Sequence, residues 1–170
     1  MANKKEPAAP TIDPTSLELK GINVLGFSVA NDSYKTYYPG EADRYDFGIM
    51  TEIFSRKDYH LRVVITVKCT VIFEDDESAE TSFMSECVFR VSPLPGVSKR
   101  KHFALEQLPV VTRLSAISLA YSTTRGLMYA RAAGTLLEGA ILPIVHPKDL
   151  DTGDLEDNEK VEERKPELTQ

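Results

Sequence analysis

Only two of the 170 residues are cysteine, Cys69 and Cys87, too few to staple a disulfide scaffold and in keeping with a reducing compartment. Long apolar runs are missing as well. A membrane helix needs about 20 predominantly apolar residues; the nearest approach, 114–124, is bracketed by Arg113 and Arg125 and interrupted by Ser115, Ser118, Ser122, Thr123 and Thr124. Lys4 and Lys5 are not followed by the hydrophobic stretch of about 7–15 residues that an export signal requires, so a cytoplasmic protein without membrane insertion is expected. Positive charge is not in excess. The formal net charge is −6, and a grip on phosphates needs a basic face that releases counterions, so a nucleic-acid partner is not expected.

What is present fits a water-soluble domain of ordinary size: 42% of residues are hydrophobic and 27% charged. The charge is unevenly placed. From Lys148 to Gln170 nine acids face four bases, which leaves everything before that stretch at a net −1. Few apolar residues follow Leu155 to offset the entropy of ordering, so 151–170 reads as a disordered acidic tail. Residues 1–15 read as a flexible, proline-containing arm, and the body as 16–150.

Within the body the first half alternates with a period of two. Leu61, Val63, Ile65, Val67, Cys69, Val71 and Phe73 share one parity, opposite Arg62, Thr66, Lys68, Thr70 and Glu74. That is a strand buried on one face. Phe83, Cys87, Phe89 and Val91 repeat the pattern after an acidic turn at 74–78, so the two runs form a hairpin. Another strand is expected over 44–56. A first strand over about 17–32 changes parity between Leu19 and Ile22 and again before Leu25, a slip that a bulge near Gly21 or Gly26 absorbs. Between these two lies a loop with Tyr34, Tyr37 and Tyr38.

From Val110 to Glu138 there is no proline and only four charges, Arg113, Arg125, Arg131 and Glu138, which predicts one long helix. Leu114, Ile117, Tyr121, Thr124, Met128, Ala132 and Thr135 trace the face toward the sheet. A second face, Ala116, Ala120, Thr123, Leu127 and Ala130, is small and uncharged where a surface helix is polar, and reads as the interface of a homo-oligomer. Pro143 and Pro147 then restrict 140–150 to an extended stretch with at most a short helical turn. The fold class is α+β: a four-stranded antiparallel sheet with a long C-terminal helix and a short second helical segment on one face.

No catalytic constellation stands out. His60, His102 and His146 lack zinc-ligand spacing, there is no Gly-rich phosphate loop, and no nucleophile elbow is present. Cys69 and Cys87 sit on inward parities and read as inert thiols. The protein is expected not to be an enzyme and to need neither metal nor cofactor. A groove framed by the bulged first strand with Phe27, by Tyr37 and Tyr38, and by Ile141 and Leu142 suits extended apolar polypeptide.

The order of strands, long helix, proline-broken segment and acidic tail resembles the bacterial protein-export chaperone SecB and the SecB-like family. The local likeness lies in Ser122-Thr-Thr-Arg125-Gly-Leu-Met-Tyr-Ala-Arg-Ala-Ala-Gly134-Thr135 and in Leu142-Pro143-Ile-Val-His-Pro-Lys-Asp149-Leu150. The resemblance implies a tetramer built as a dimer of dimers and ATP-independent holding of unfolded or precursor polypeptides. It also implies docking of the motor SecA through last-strand positions that fall on Met84 and Glu86. The acidic first-strand positions of the family fall on Gly26 and Ala30, which makes a SecB-like protein serving another client, such as an antitoxin, the second expectation. A one-partner adaptor oligomer is a third; a hot-dog thioesterase fits less well, because its long helix precedes most of its strands.

Overall fold

The structure, a computed structural model, describes residues 12–29, 38, 40–74, 77–95 and 103–151. Alternating apolar and polar side chains build four strands, β1 (Glu18–Val29), β2 (Arg44–Arg56), β3 (His60–Ile72) and β4 (Ser78–Arg90). They form one antiparallel sheet in the order β1-β4-β3-β2. The β2–β3 connection turns through Lys57–Tyr59, where Asp58 and Tyr59 take φ values of 58° and 61°. Left-handed residues in a hairpin turn match the right-handed twist of the strands on either side.

Helix α1 (Val110–Ala132) lies against β3 and β4. Ile117, Tyr121, Thr124, Met128 and Ala132 are buried, as the expected sheet-facing stripe requires, and join one core with Leu61, Val63, Ile65, Val67, Phe83 and Phe89. A buried polar contact crosses that core. The Thr124 hydroxyl donates to the Ala120 carbonyl at 2.8 Å, so the Ser85 hydroxyl of β4 is the donor to Thr124 at 2.7 Å, and both buried groups are satisfied.

Three expectations need correction. The helix ends at Ala132 rather than running to Glu138: Gly134 adopts a left-handed φ of 72°, and the Thr135 hydroxyl donates to the Ala132 carbonyl at 2.7 Å. Ala116 and Ala120, expected at a subunit interface, are 0% and 1% exposed within the single chain. Their small side chains face the sheet, so they have no surface left for a second chain. Lastly, the end of the N-terminal arm is fastened down: Ile12 is fully buried and bridges Pro93, and the Asp13 amide donates to the Ser92 carbonyl at 2.9 Å. The remainder of the arm, 1–11, and the acidic tail beyond Asp151 lie outside the described residues.

The segment after α1 is extended, as its prolines require. The Tyr121 hydroxyl donates to the Pro143 carbonyl at 2.9 Å, Arg125 Nε donates to the Leu142 carbonyl at 3.2 Å, and a single turn (Pro147–Leu150) closes it against α1 and β2. Replacing a core residue should therefore cost much more than replacing a residue of this segment's outer side. Ile117→Ala is expected to lower stability in urea denaturation by about 2–5 kcal/mol, and Ile144→Ala, at a side chain 89% exposed, by no more than about 0.5 kcal/mol.

Candidate functional site

β1 carries several large apolar side chains that remain exposed. Its register with β4 shifts twice, between Leu19 and Gly21 and between Val24 and Gly26, so that Lys20 and Leu25 are extra residues. Each shift resets the parity. Leu19, Ile22, Val24, Phe27 and Val29 thereby pair with Phe89, Cys87, Ser85, Phe83 and Thr81, all of them buried on the helix-bearing face. Cross-strand partners share a face, so five apolar side chains of β1 line one side of the sheet despite their irregular spacing. The helix rests on β3 and β4 and does not cover them fully: Leu19, Ile22 and Val29 remain 46, 44 and 37% exposed. Phe27 is half-buried and meets Phe83 edge-on, with ring centroids 6.0 Å apart. Because β1 is an edge strand, its outer row of backbone amides and carbonyls has no partner within the sheet.

The other expected polypeptide contacts are scattered. The Ile141 stretch lies toward the opposite edge of the sheet from Phe27: the Tyr45 hydroxyl of β2 donates to the Glu138 carbonyl at 2.7 Å, and β1 and β2 are the two outer strands. Ile141 is 65% exposed, but Leu142 is 3% exposed and spent in the chain's own core. Tyr38 is exposed, its amide donating to Glu41 Oε2 at 2.9 Å, and Tyr37 lies outside the described residues. The single groove expected from the sequence is therefore not formed, and of its residues Phe27 alone belongs to the β1 strip.

On the opposite, helix-free face, Met84 is 36% exposed in a cross-strand row with Met50, Thr66 and Gly26. Glu86 is less available. It is ion-paired with Arg62 of β3 and accepts from Asn23 Nδ2 of β1 at 3.2 Å. The outward side of α1 is apolar but rotated from the expected one: Thr123 and Leu127 are half-buried and Ala130 exposed, while Val110, Val111, Leu114, Ser115, Ser118 and Pro147 line an open groove of ≈ 440 Å³.

Among the described residues no three His, Cys, Asp or Glu side chains converge as a metal site, and no helix is long and apolar enough to cross a membrane. Both thiols are buried. Burial pushes Cys69 up to about 11, against a smaller opposing effect of the Thr81 hydroxyl, and raises Cys87 as well. Neither is an activated nucleophile.

No protein-family model matches the chain, and no curated protein matches it. A solved structure does. The likeness to the Mycobacterium tuberculosis SecB-like chaperone in complex with a ChAD peptide from the HigA1 antitoxin has a TM-score of 0.51 at 16% identity, over 76% of this chain and 90% of that one. The fold is SecB-like. The strip was visible in sequence only as a parity slip; its two bulges could be placed by Gly21 and Gly26, but its exposure depends on where α1 rests.

The thiols give a direct check on the core beneath the strip. At pH 8 the Cys69 thiol, with a pKa of about 11, is ionised to roughly one part in a thousand, and Cys87 is raised in the same direction and equally buried, so a disulfide exchange reagent should label neither cysteine until the chain is unfolded. Rapid native labelling would contradict the packing. Since folding raises this pKa from 9.0, its stabilising contribution is complete below pH 9 and is lost as the pH rises toward about 11; the thermal midpoint should fall across that interval.

Proposed function

We propose that this chain is a SecB-like, ATP-independent holdase that binds unfolded or precursor polypeptides on the apolar strip of β1 and acts in the cytoplasm without catalytic residues, metal or cofactor. The observation that carries the reading is the strip itself: five apolar side chains aligned on one side of an edge strand, most of them partly exposed. An open edge gives backbone hydrogen bonds that do not depend on the client's sequence, and the neighbouring side chains accept apolar residues of varied shape. Exposed apolar edges otherwise promote aggregation, which makes an occupant or a covering partner the physical expectation.

A second copy of the chain would lie against the outward side of α1, where Val110, Val111, Leu119 and Tyr129 leave apolar side chains exposed, to give a dimer or tetramer. Solution mass should exceed that of one chain; a monomer at micromolar concentration would remove this part of the proposal. Engagement of SecA through Met84 and Glu86 has less support, because Glu86 is already held by Arg62 and Asn23. The alternative of an adaptor for one specific partner, such as an antitoxin, is favoured by one observation, the peptide-bound state of the SecB-like neighbour.

In several-fold molar excess and without nucleotide, the protein should suppress aggregation of a denatured test protein. The Leu19→Asp/Ile22→Asp variant should need at least fivefold more chaperone for the same effect, with only a small change in thermal midpoint because both side chains are half-exposed. Lack of suppression together with a single stoichiometric partner in a pull-down would replace the holdase reading by the adaptor one.

A further inference from the structure

The body, nearly neutral in total, is electrically two-ended. The end of the sheet that holds the β3–β4 turn carries Glu74, Glu77 and Glu80. At the opposite end Arg56, His60 and Arg90 stand side by side on three adjacent strands as direct cross-strand partners, with Lys57 in the adjoining turn. Arg56, Lys57 and Arg90 are exposed, and among the described residues neither Arg56 nor Lys57 has an ion-pair partner. Arg56 and Arg90 each lie opposite His60, Glu18 of β1 lies opposite Arg90, and Asp58 adjoins Lys57 in the turn, so the uncompensated positive charge of this end is centred on Arg56 and Lys57, where a further anion is favoured.

The chain leaves the described body at this same basic end. Tyr59, next to the turn, stacks on Phe103 at 6.0 Å between centroids and accepts the Val91 amide at 2.9 Å; Ser92 accepts the Asp13 amide; and the Thr112 hydroxyl of α1 donates to Pro14 at 3.2 Å. Contact by contact, the first turn of α1 is tied to the β2–β3 turn. Arg113 in that first turn pairs with Asp151 at 2.8 Å, both side chains being largely buried. The next eight residues, 152–159, contain Asp154, Glu156, Asp157 and Glu159 and no base.

We propose that the acidic stretch 154–159 docks in cis on the basic end of the sheet around Arg56, Lys57 and Arg90, with the Arg113–Asp151 pair as its fixed point. Eight residues reach up to about 26 Å, and tethering at Asp151 supplies the stretch at roughly millimolar effective concentration. The acidic far end repels it. Exposed ion pairs are individually weak and screened by salt, with a Debye length of about 8 Å at physiological ionic strength, so the docking is reversible and an anionic partner of the basic end would compete with it. This inference does not depend on the holdase reading.

Zero-length carbodiimide crosslinking of the full chain, read by mass spectrometry on a mixture of isotope-labelled and unlabelled copies, tests it. Crosslinks from the Lys57 amine to the carboxylates at 154–159 should be intramolecular and at least fivefold more abundant than those from the exposed Lys68. They should fall at least fivefold in 0.5 M NaCl and, at an unchanged thermal midpoint, in R56A/R90A. If that variant is destabilised, the salt arm on the unaltered chain decides. Equal yields at Lys57 and Lys68, no crosslink at Lys57, insensitivity to salt, or crosslinks mainly between copies would each overturn the proposal, the last by assigning the stretch to a second copy.

Discussion

One helix is too narrow to cover four strands, and most of what this molecule offers to a partner follows from that mismatch. An α-helix with its side chains is about 10–12 Å across, whereas four strands spaced about 4.8 Å apart present a wider face. α1 settles on the two middle strands, β3 and β4, with Ala116 and Ala120 allowing close approach and Ser85 joined to Thr124 beneath it. The proline-broken segment closes the β2 side, through Tyr45 and the turn at 147–150. β1 is left with its apolar side chains half-covered and its edge open. The surface read as functional is thus the part of the core that the fold lacks enough helix to bury.

The same constraint explains which parts were legible in the sequence. The strands announced themselves because each buries one face: β2 spans 44–56 as expected, and β3 and β4 keep the parities of Val63 and Phe83. The irregular first strand was legible too, since a parity slip on a strand that must still bury one side implies a bulge; two occur, beside Gly21 and before Gly26. Rotation of the helix was not legible. Its circumference is almost uncharged between Arg113 and Arg125, so periodicity could not say that Ala116 and Ala120 face inward while Ser115 and Ser122 face out. Nor could one sequence show that Phe27 and Ile141 are kept apart by two intervening strands, because lateral strand order is a property of the whole sheet. Leu142 and Ile141, adjacent and chemically alike, part company because successive side chains of an extended segment point to opposite sides, and Arg125 and Tyr121 hold that segment through the Leu142 and Pro143 carbonyls.

Charge tells a parallel story. The net charge of −6 hides an uneven placement: the cross-strand register gathers Arg56, His60 and Arg90 at one end of the sheet, while Glu74, Glu77 and Glu80 lie at the other. Totals of charge say little about docking; placement by strand register says a good deal. Glu86 makes the same point in miniature, for its position suits a docking role while its carboxylate is already committed to Arg62 and Asn23.

The central claim is that clients meet the chain at β1, and amide hydrogen exchange on the full-length protein, with and without an excess of an unfolded polypeptide, tests it most directly. The account predicts that protection rises in 18–29 on addition of the polypeptide, while β2 at the opposite edge is little changed. Protection rising instead on the helix-free face around Met50 and Met84, or nowhere, would contradict it.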